Sequence, residues 1–229
     1  METQTRNVVK LRKELEDVFS ANSYKLINTS LKDKIIQNGI GFFPYGSGLL
    51  RSDKEKIPQG GLMILGQDFG DVDYITPELI QNGEANKPTF RKTTELINAY
   101  PKEKVFMTNL FMGLRKEKGM IGDNPALKKK TKDMDYLNAS LKFFKLQLEY
   151  VNPTKIIVLG KAPYNFLCNE FNGNSHKVFT FSAYISNQVP EKLLHINNIP
   201  VLCIPHPSMW NSNVKNQTEW KNTIKLFLK

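Results

Sequence analysis

Three short polar motifs in this 229-residue sequence carry side chains that could do chemistry, and each follows a short apolar run. Residues 66–70 (GQDFG) place the carboxylate of Asp68 on a turn bounded by glycines, where the backbone can approach a ligand closely. The carboxamide of Asn109 can donate to and accept from one planar partner, such as the edge of a base. Residues 205–208 (PHPS) hold the imidazole of His206 between two prolines, which fix the backbone around it.

Each of these side chains also has an ordinary structural interpretation. An aspartate after a buried strand is commonly a helix or turn cap, and an asparagine there commonly bonds nearby loop backbone. A lone histidine usually has a structural partner. Three such residues at one end of the same sheet favour a shared site, because three unrelated structural roles would otherwise have to converge there by accident.

The elements that must position these motifs alternate along the chain as strand and helix. Continuous apolar character predicts buried strands at residues 62–65, 105–107, 156–159 and 201–204. Apolar residues at helix spacing predict helices at residues 89–99, 133–150, 162–171 and 214–228. This alternation predicts a three-layer α/β/α fold with a central, mostly parallel four-stranded sheet, whose ligands bind at the carboxyl ends of the strands.

The first sixty residues follow a different pattern. Helix-spaced apolar residues predict two helices in the first forty residues, around 8–19 and 31–36, and the Gly/Pro-rich loop at 39–61 is long enough to line a site. We predict one domain over residues 1–229. Within it, residues 1–60 form a helical segment and loop, and residues 61–229 form the α/β core that bears the motifs.

Composition and charge narrow the class of protein. Lys and Arg outnumber Asp and Glu by 32 to 22, giving a net charge of +10 and a pI of about 9.4, which would attract a polyanion such as nucleic acid. The same excess can serve solubility alone. The presence of only 2 cysteines excludes a disulfide framework and an all-cysteine metal or iron–sulfur site.

Localisation and cofactors follow from what the sequence lacks. No apolar run approaches the roughly 20 residues that span a bilayer, and the first ten residues lack the apolar stretch of a signal peptide. We therefore expect an intracellular protein with no membrane partner, which is cytoplasmic and nucleoid-associated or nuclear depending on its source. We also expect a monomer. We expect it to need neither a metal nor a cofactor.

The order GQDFG, MTNLFMGLR and HPSMW, spread widely between Gly66 and Trp210, resembles the uracil-DNA glycosylase superfamily. The resemblance implies a uracil-DNA glycosylase-like fold, DNA as the partner, single- or double-stranded, and a monofunctional DNA N-glycosylase. Such an enzyme flips a damaged or modified pyrimidine, either uracil or a C5-substituted base, out of DNA and hydrolyses its N-glycosidic bond to leave an abasic site. Two alternatives stay open: a catalytically weak DNA-binding relative of the same fold, and an α/β enzyme that processes nucleosides or nucleotides.

The resemblance also implies roles for single residues. Asp68 would position the attacking water and stabilise the positively charged sugar, and Gln67 would contribute backbone contacts beside it. Asn109 would read the Watson–Crick face of the flipped base. His206 would hydrogen-bond the O2 atom of the base as negative charge develops on the leaving group.

Further positions would shape the base pocket. Phe69 or Phe90 would stack on the extruded base. Gly70 stands where the strictly uracil-specific subgroup has a tyrosine that blocks the C5 position, so the pocket would admit a base that is bulky at C5. Trp210 would fill the space that the flipped nucleotide leaves, although a core tryptophan is equally compatible with the sequence.

Phosphate contacts are predicted mainly from glycine, serine and lysine residues. Gly160 and Lys161 open a helix, where backbone N–H groups and a lysine can meet an anion. A basic run at residues 128–132, with Arg115 and two nearby lysines upstream, would extend the DNA-binding track, although such a run is often only a solvated face. The remaining predicted DNA contacts are Ser47, Ser208 and Met209.

Overall fold

The computed structural model describes residues 7–20, 24–51, 55–119, 122–171, 174–178, 193–207 and 214–229. Three predicted DNA contacts, Ser208, Met209 and Trp210, therefore lie outside the described residues. Every other residue for which the sequence predicts a site role lies within them, so its surroundings can be compared with the prediction.

A five-stranded sheet forms the centre of the protein. In their order across the sheet, the strands are β3 (Val105–Asn109), β2 (Leu62–Gly66), β5 (Lys155–Leu159), β7 (Ile199–Ile204) and β6 (Leu194–Ile196). The first four of these are parallel, and β6 pairs with β7 in the antiparallel direction. Two short strands, β1 (Ile27–Asn28) and β4 (Leu114–Arg115), form a separate antiparallel pair.

The parallel strands are apolar throughout because both faces of the sheet are covered. Every residue of β2 and β3 is buried, and so are the last four residues of β5 and of β7. Parallel strands are joined by right-handed crossovers, which place the connection from β2 to β3 on one face and those from β3 to β5 and from β5 to β7 on the other. The fold is therefore the predicted three-layer α/β/α arrangement.

Six α-helices lie in the described segments: α1 (Val8–Phe19), α2 (Pro77–Asn82), α3 (Pro88–Leu96), α4 (Met134–Val151), α5 (Lys161–Glu170) and α6 (Val214–Leu228). Local hydrogen bonds fix several of their ends. The side chain of Asp133 accepts the N–H of Tyr136 at 3.0 Å at the start of α4, and Asn152 ends that helix with a left-handed φ of 44°. Single 3-10 turns occur at Lys102–Lys104, Pro125–Leu127 and Asn174–His176.

The segment from residue 39 to residue 51 covers the open edge of β3. The N–H of Phe43 donates to the carbonyl of Met107 at 2.9 Å, and the N–H of Met107 donates to the carbonyl of Gly48 at 2.8 Å. These bonds satisfy backbone groups that an edge strand would otherwise leave open. We call residues 39–51 the edge-covering segment.

Helix α1 fastens the edge-covering segment to the rest of the protein. Its buried residues recur every three or four positions and join the same apolar core as the sheet; they are Val8, Leu11, Leu15 and Phe19. Arg12 lies beside this stripe and donates from Nε to the carbonyl of Pro44 and from Nη2 to the carbonyl of Gly46, each at 3.0 Å. One side chain therefore ties α1 to the turn at residues 44–46.

The four predicted strands and four predicted helices are confirmed, but two expectations about the fold are wrong. The sheet has five strands rather than four, because β6 is short and carries the exposed His195, so it shows no continuous apolar run. The helix expected at residues 31–36 is a series of turns. The N–H of Ile36 donates to the carbonyl of Tyr45 at 2.7 Å, so the edge-covering segment takes the place of a helical partner.

Replacing Arg12 by Met should lower the free energy of unfolding by about 1–3 kcal/mol, because two backbone carbonyls lose a charged donor. The matched control is Lys13→Met, which removes the same charge from an exposed neighbour on α1. Urea denaturation of both variants measures the difference. Equal stability of the two variants would show that Arg12 does not hold the edge-covering segment.

Candidate active site

The predicted site motifs meet at the carboxyl edge of the sheet. Gly66 pairs with Asn109 at the ends of β2 and β3, and the last residues of β5 and β7 pair beside them. A Cβ atom added at Gly160, directly after β5, would lie 3.9 Å from the Cβ of His206, directly after β7. The strand order also reverses direction between β2 and β5, which is where ligands of open α/β sheets bind.

Asn109 lies against Gly66 with its carboxamide available. Asn109 is only 4% exposed, and its carboxamide makes no hydrogen bond to any described residue. A Cβ atom at Gly66 would come 2.2 Å from Asn109 Oδ1 and 3.6 Å from Cε1 of Phe42. The absence of a side chain at Gly66 therefore leaves room for both the carboxamide and the ring of Phe42.

The carboxylate of Asp68 is held by a buried ion pair with Arg115. Arg115 Nη2 lies 2.9 Å from Asp68 Oδ2 and 3.0 Å from Oδ1, and Arg115 Nε lies 3.2 Å from Oδ2. Both side chains are 4% exposed. Two further donors reach the carboxylate, the N–H of Gly70 at 3.0 Å and Nδ2 of Asn124 at 2.7 Å.

This set of donors occupies the carboxylate of Asp68 on all sides. A carboxylate offers about four lone-pair positions, and Arg115, Gly70 and Asn124 fill them here. Burial raises the pKa of Asp68 above its ordinary value, while the charge of Arg115 and the three donors act in the opposite direction. Both carboxylate oxygens of Asp68 thus accept hydrogen bonds from the protein itself.

Residues 122–124 close over the same ion pair. The carbonyl of Gly122 accepts from Arg115 Nη2 at 2.8 Å and from Gln67 Nε2 at 3.1 Å. Asn124 also caps the 3-10 turn that follows, since its Oδ1 accepts the N–H of Ala126 at 3.0 Å. The side chain of Gln67, a residue predicted to contribute backbone contacts beside Asp68, is thus directed to this segment.

Sequence reasoning missed the roles of Arg115 and Asn124 beside Asp68. The sequence predicts Arg115 in the DNA-binding track, but Arg115 is 3% exposed and paired with Asp68, so that prediction is wrong. Its position on β4, where its N–H donates to the carbonyl of Gly70 at 2.8 Å, carries no signal in the sequence. Asn124 is fully buried four residues before the exposed basic run, and an N-P dipeptide there indicates only a turn.

His206 lies on the opposite side of the site from these residues along the sheet. Burial lowers the pKa of His206 below its ordinary value near 6.5, so the imidazole is neutral at pH 7. Lys92 of α3 donates from Nζ to the carbonyl of Pro207 at 3.4 Å, which connects α3 to the PHPS motif. A neutral imidazole can donate one hydrogen bond without carrying a positive charge.

The two phenylalanines predicted to stack on a base belong to different clusters. Phe69 is 5% exposed and packs edge-on against Tyr45, with ring centroids 4.7 Å apart, and against Tyr74 at 5.7 Å. Phe90 is 6% exposed and packs edge-on against Phe42, with centroids 6.2 Å apart. Of these two predicted residues, only Phe90 contacts the ring that borders Gly66 and Asn109.

Several predicted phosphate contacts have other partners. Ser47 is buried, and its hydroxyl donates to the carbonyl of Gly39, so it does not fit the predicted DNA contact. The N–H of Gly160 donates to the carbonyl of Ile204 at 2.7 Å and is not available to a phosphate. Lys161 and the basic run at 128–132 are exposed and stay predicted contacts.

Two searches of the described residues bear on metals and membranes. No group of three His, Cys, Asp or Glu side chains there is arranged to hold a metal ion. None of the described helices has the length and apolar character that crossing a bilayer requires.

Fold and site together define an α/β protein with an amide, a neutral imidazole and a buried carboxylate at one edge of a parallel sheet. The family model described as the uracil DNA glycosylase superfamily matches residues 55–228, which is well over half of the chain. The protein therefore belongs to the uracil DNA glycosylase superfamily, whose members act on DNA as glycosylases. A comparison with curated proteins gives no match.

Replacing Arg115 by Met should lower the free energy of unfolding by about 3–5 kcal/mol, because it leaves the charge of Asp68 buried without a partner. Adding Asp68→Asn to that variant should restore part of the loss, since the unpaired charge is then gone. Lys118→Met, which breaks an ion pair with Asp73 whose side chains are 74% and 56% exposed, is the control and should cost less than about 1 kcal/mol. Additive losses in the double variant, measured by urea denaturation, would contradict the ion pair.

Proposed function

We propose that this protein is a monofunctional DNA glycosylase that removes uracil or a C5-substituted pyrimidine from DNA by hydrolysis of the N-glycosidic bond. The observation that carries the proposal is the convergence of Asn109, Asp68 and His206 at one sheet edge of a uracil DNA glycosylase superfamily member. Hydrolysis breaks the bond between C1′ and the base nitrogen, and the electron pair of that bond leaves with the base. Water adds to C1′ and releases a proton.

Asn109 is the proposed reader of the flipped base. Its carboxamide has both a donor and an acceptor that no described residue uses, at a position with little solvent access. A base that fails to satisfy these groups leaves them buried and unpaired, which is how such a site discriminates between bases. Phe42, together with Phe90 behind it, is the proposed stacking surface, in addition to the residues predicted from the sequence.

His206 and Asp68 are the proposed sources of electrostatic stabilisation. The neutral imidazole of His206 would donate to the O2 atom of the leaving base as that atom gains negative charge. The donors that surround Asp68 favour a role for it as a fixed negative charge near the sugar and as the support of the turn at residues 66–70. Acceptance of a proton from water would first require the ion pair with Arg115 to open.

Gly70 supports a pocket that admits substituents at C5 of the base. A Cβ atom added at Gly70 would meet no atom of the described residues within 4 Å, so this position has room beside it in the described part of the chain. The net charge of +10, with Lys161 and residues 128–132 exposed, supports DNA rather than a free nucleoside as the substrate. The proposal covers both single- and double-stranded DNA, since either form can present an extruded base.

One observation favours a second candidate function. Because its lone pairs are occupied, Asp68 is poorly placed to activate water, which is what a DNA-binding relative with little turnover would show. Such a protein would bind DNA with an affinity that falls steeply with salt, and it would release no base. An enzyme of free nucleosides would be nearly indifferent to salt.

The experiment that tests the proposal is incubation with labelled oligonucleotides that carry uracil, hydroxymethyluracil, a bulky C5-modified cytosine or hypoxanthine, followed by alkaline cleavage at abasic sites. We expect cleavage at uracil or at a C5-substituted pyrimidine. Asn109→Ala should lower kcat/KM by about 100-fold, since a base contact made in the transition state is lost. Asn82→Ala, on the exposed end of α2, is the control and should match the wild type.

Asn109→Ala tests activity separately from stability. The Asn109 carboxamide makes no hydrogen bond among the described residues, so its loss should leave the free energy of unfolding nearly unchanged. Excision of the same base at an equal rate by Asn109→Ala would refute the role of Asn109. Salt-sensitive binding without any product would favour the second candidate function.

On acidification the rate of excision should stay high past the ordinary histidine pKa near 6.5, because burial lowers the pKa of His206 and keeps the imidazole neutral. At still lower pH, protonation would convert the neutral donor into a buried cation and the single-turnover rate should fall. His206→Gln should lose this acid limb together with most of the rate. An acid limb that persists unchanged in His206→Gln would belong to another group.

A further inference from the structure

A second buried carboxylate, Glu84, lies outside the predicted motifs. It is fully buried in the turn between α2 and α3. Its Oε2 accepts the N–H of Phe42 at 2.7 Å and its Oε1 accepts the hydroxyl of Tyr74 at 2.8 Å. Burying a carboxylate costs free energy unless its acceptor positions are satisfied, and the bonds from Phe42 and Tyr74 satisfy those of Glu84.

The two partners of Glu84 pack near different parts of the candidate active site. Phe42 borders Gly66 and Asn109, as the close approach of its ring to Gly66 shows. The ring of Tyr74 lies 5.7 Å from that of Phe69, which directly follows Asp68. One carboxylate thus connects the backbone of the edge-covering segment to the aromatic residues beside the GQDFG turn.

The neighbouring backbone is arranged to admit this carboxylate. A Cβ atom at Gly41 would lie 3.1 Å from both Cγ and Cδ of Glu84, so a larger residue before Phe42 would displace it. The N–H of Glu84 also donates to the carbonyl of Ile40 at 3.0 Å. Residues 40–42 are therefore bonded to Glu84 at both its backbone and its side chain.

We propose that Glu84 is a positioning residue that holds the ring of Phe42 beside Asn109, where it stacks on the extruded base. This inference rests on the proposed function. Glu84 itself touches neither the base nor the sugar. It acts through the N–H of Phe42, whose position decides where the ring lies over Gly66.

The charge state of Glu84 should tune this effect. Burial raises its pKa to about 7, with the bonds from Phe42 and Tyr74 and the charge of Lys87 acting in the opposite direction. The charged and titratable groups that face it are Lys87, at the start of α3, and Tyr74, over whose ring Lys87 Nζ lies 5.3 Å from the centroid. A charged acceptor binds an N–H roughly twice as strongly as a neutral one, so the bond to Phe42 strengthens as the pH rises through 7.

The test is single-turnover excision of the base that the substrate panel identifies, with the DNA concentration varied to separate half-saturation from the maximal rate. Glu84→Leu should raise the half-saturating DNA concentration about tenfold and change the maximal rate less, because a misplaced ring loses stacking with the base. Phe42→Leu should have the same effect, and the double variant should lose no more than either single one. Glu78→Leu, on the exposed face of α2, is the control.

Glu84→Gln separates positioning from simple loss of stability. Its amide oxygen still accepts the N–H of Phe42, so half-saturation should return to within about threefold of the wild type. Between pH 6 and 8 the half-saturating DNA concentration of the wild type should fall as the pH rises, whereas that of Glu84→Gln should stay flat.

Three outcomes would overturn the role of Glu84 alone. They are a wild-type half-saturating DNA concentration in Glu84→Leu, additive losses in the double variant, and an unchanged pH dependence in Glu84→Gln. Absence of product from the wild-type protein would overturn both proposals.

Discussion

The buried ion pair of Asp68 and Arg115 is the interaction on which the candidate site depends. Two charges removed from water are tolerated only where geometry and additional hydrogen bonds compensate them, and here both oxygens of Asp68 and the guanidinium of Arg115 have several partners. The pair joins the turn after β2 to β4, and through β4 to β1. Residues 122–124 are bonded to it as well, so this interaction connects four segments drawn from residues 27 to 124.

The two buried carboxylates of the site are compensated in different ways. Asp68 faces a guanidinium inside the protein, whereas Glu84 has neutral donors in Phe42 and Tyr74 and only the more distant charge of Lys87. A full opposite charge in contact holds a carboxylate ionised far more firmly than neutral donors do. The Asp68 side of the site thus depends on an ion pair, and the Glu84 side depends on hydrogen bonds from neutral donors.

The sequence predicted the layers of the fold and the three motifs because both depend on local signals. Continuous apolar runs identify β2, β3, β5 and β7, and their parallel order brings Asp68, Asn109 and His206 to one edge. Arg115, Asn124, Glu84 and Phe42 could not be found in this way, because their importance comes from partners more than forty positions away or from burial in polar surroundings. Residue type alone does not show whether a charged side chain is buried or exposed.

The turns at residues 31–36 illustrate the same limit for secondary structure. Apolar residues there recur as they would in a helix, yet the N–H of Ile36 pairs with Tyr45 of the edge-covering segment. Tertiary hydrogen bonds decided the local structure, and no neighbouring residue signals them. The short strand β6 was missed for the related reason that pairing with β7, rather than its own composition, makes it a strand.

The edge-covering segment places part of the candidate site outside the residues that match the family model. The match to the superfamily begins at residue 55, but the ring that borders Asn109 comes from residue 42, and Arg12 fastens that segment from still earlier in the chain. A fragment cut at residue 55 would therefore lack the ring that borders Gly66 and Asn109. Substitutions at residue 42 would likewise change the surroundings of Asn109 while all three motifs stay intact.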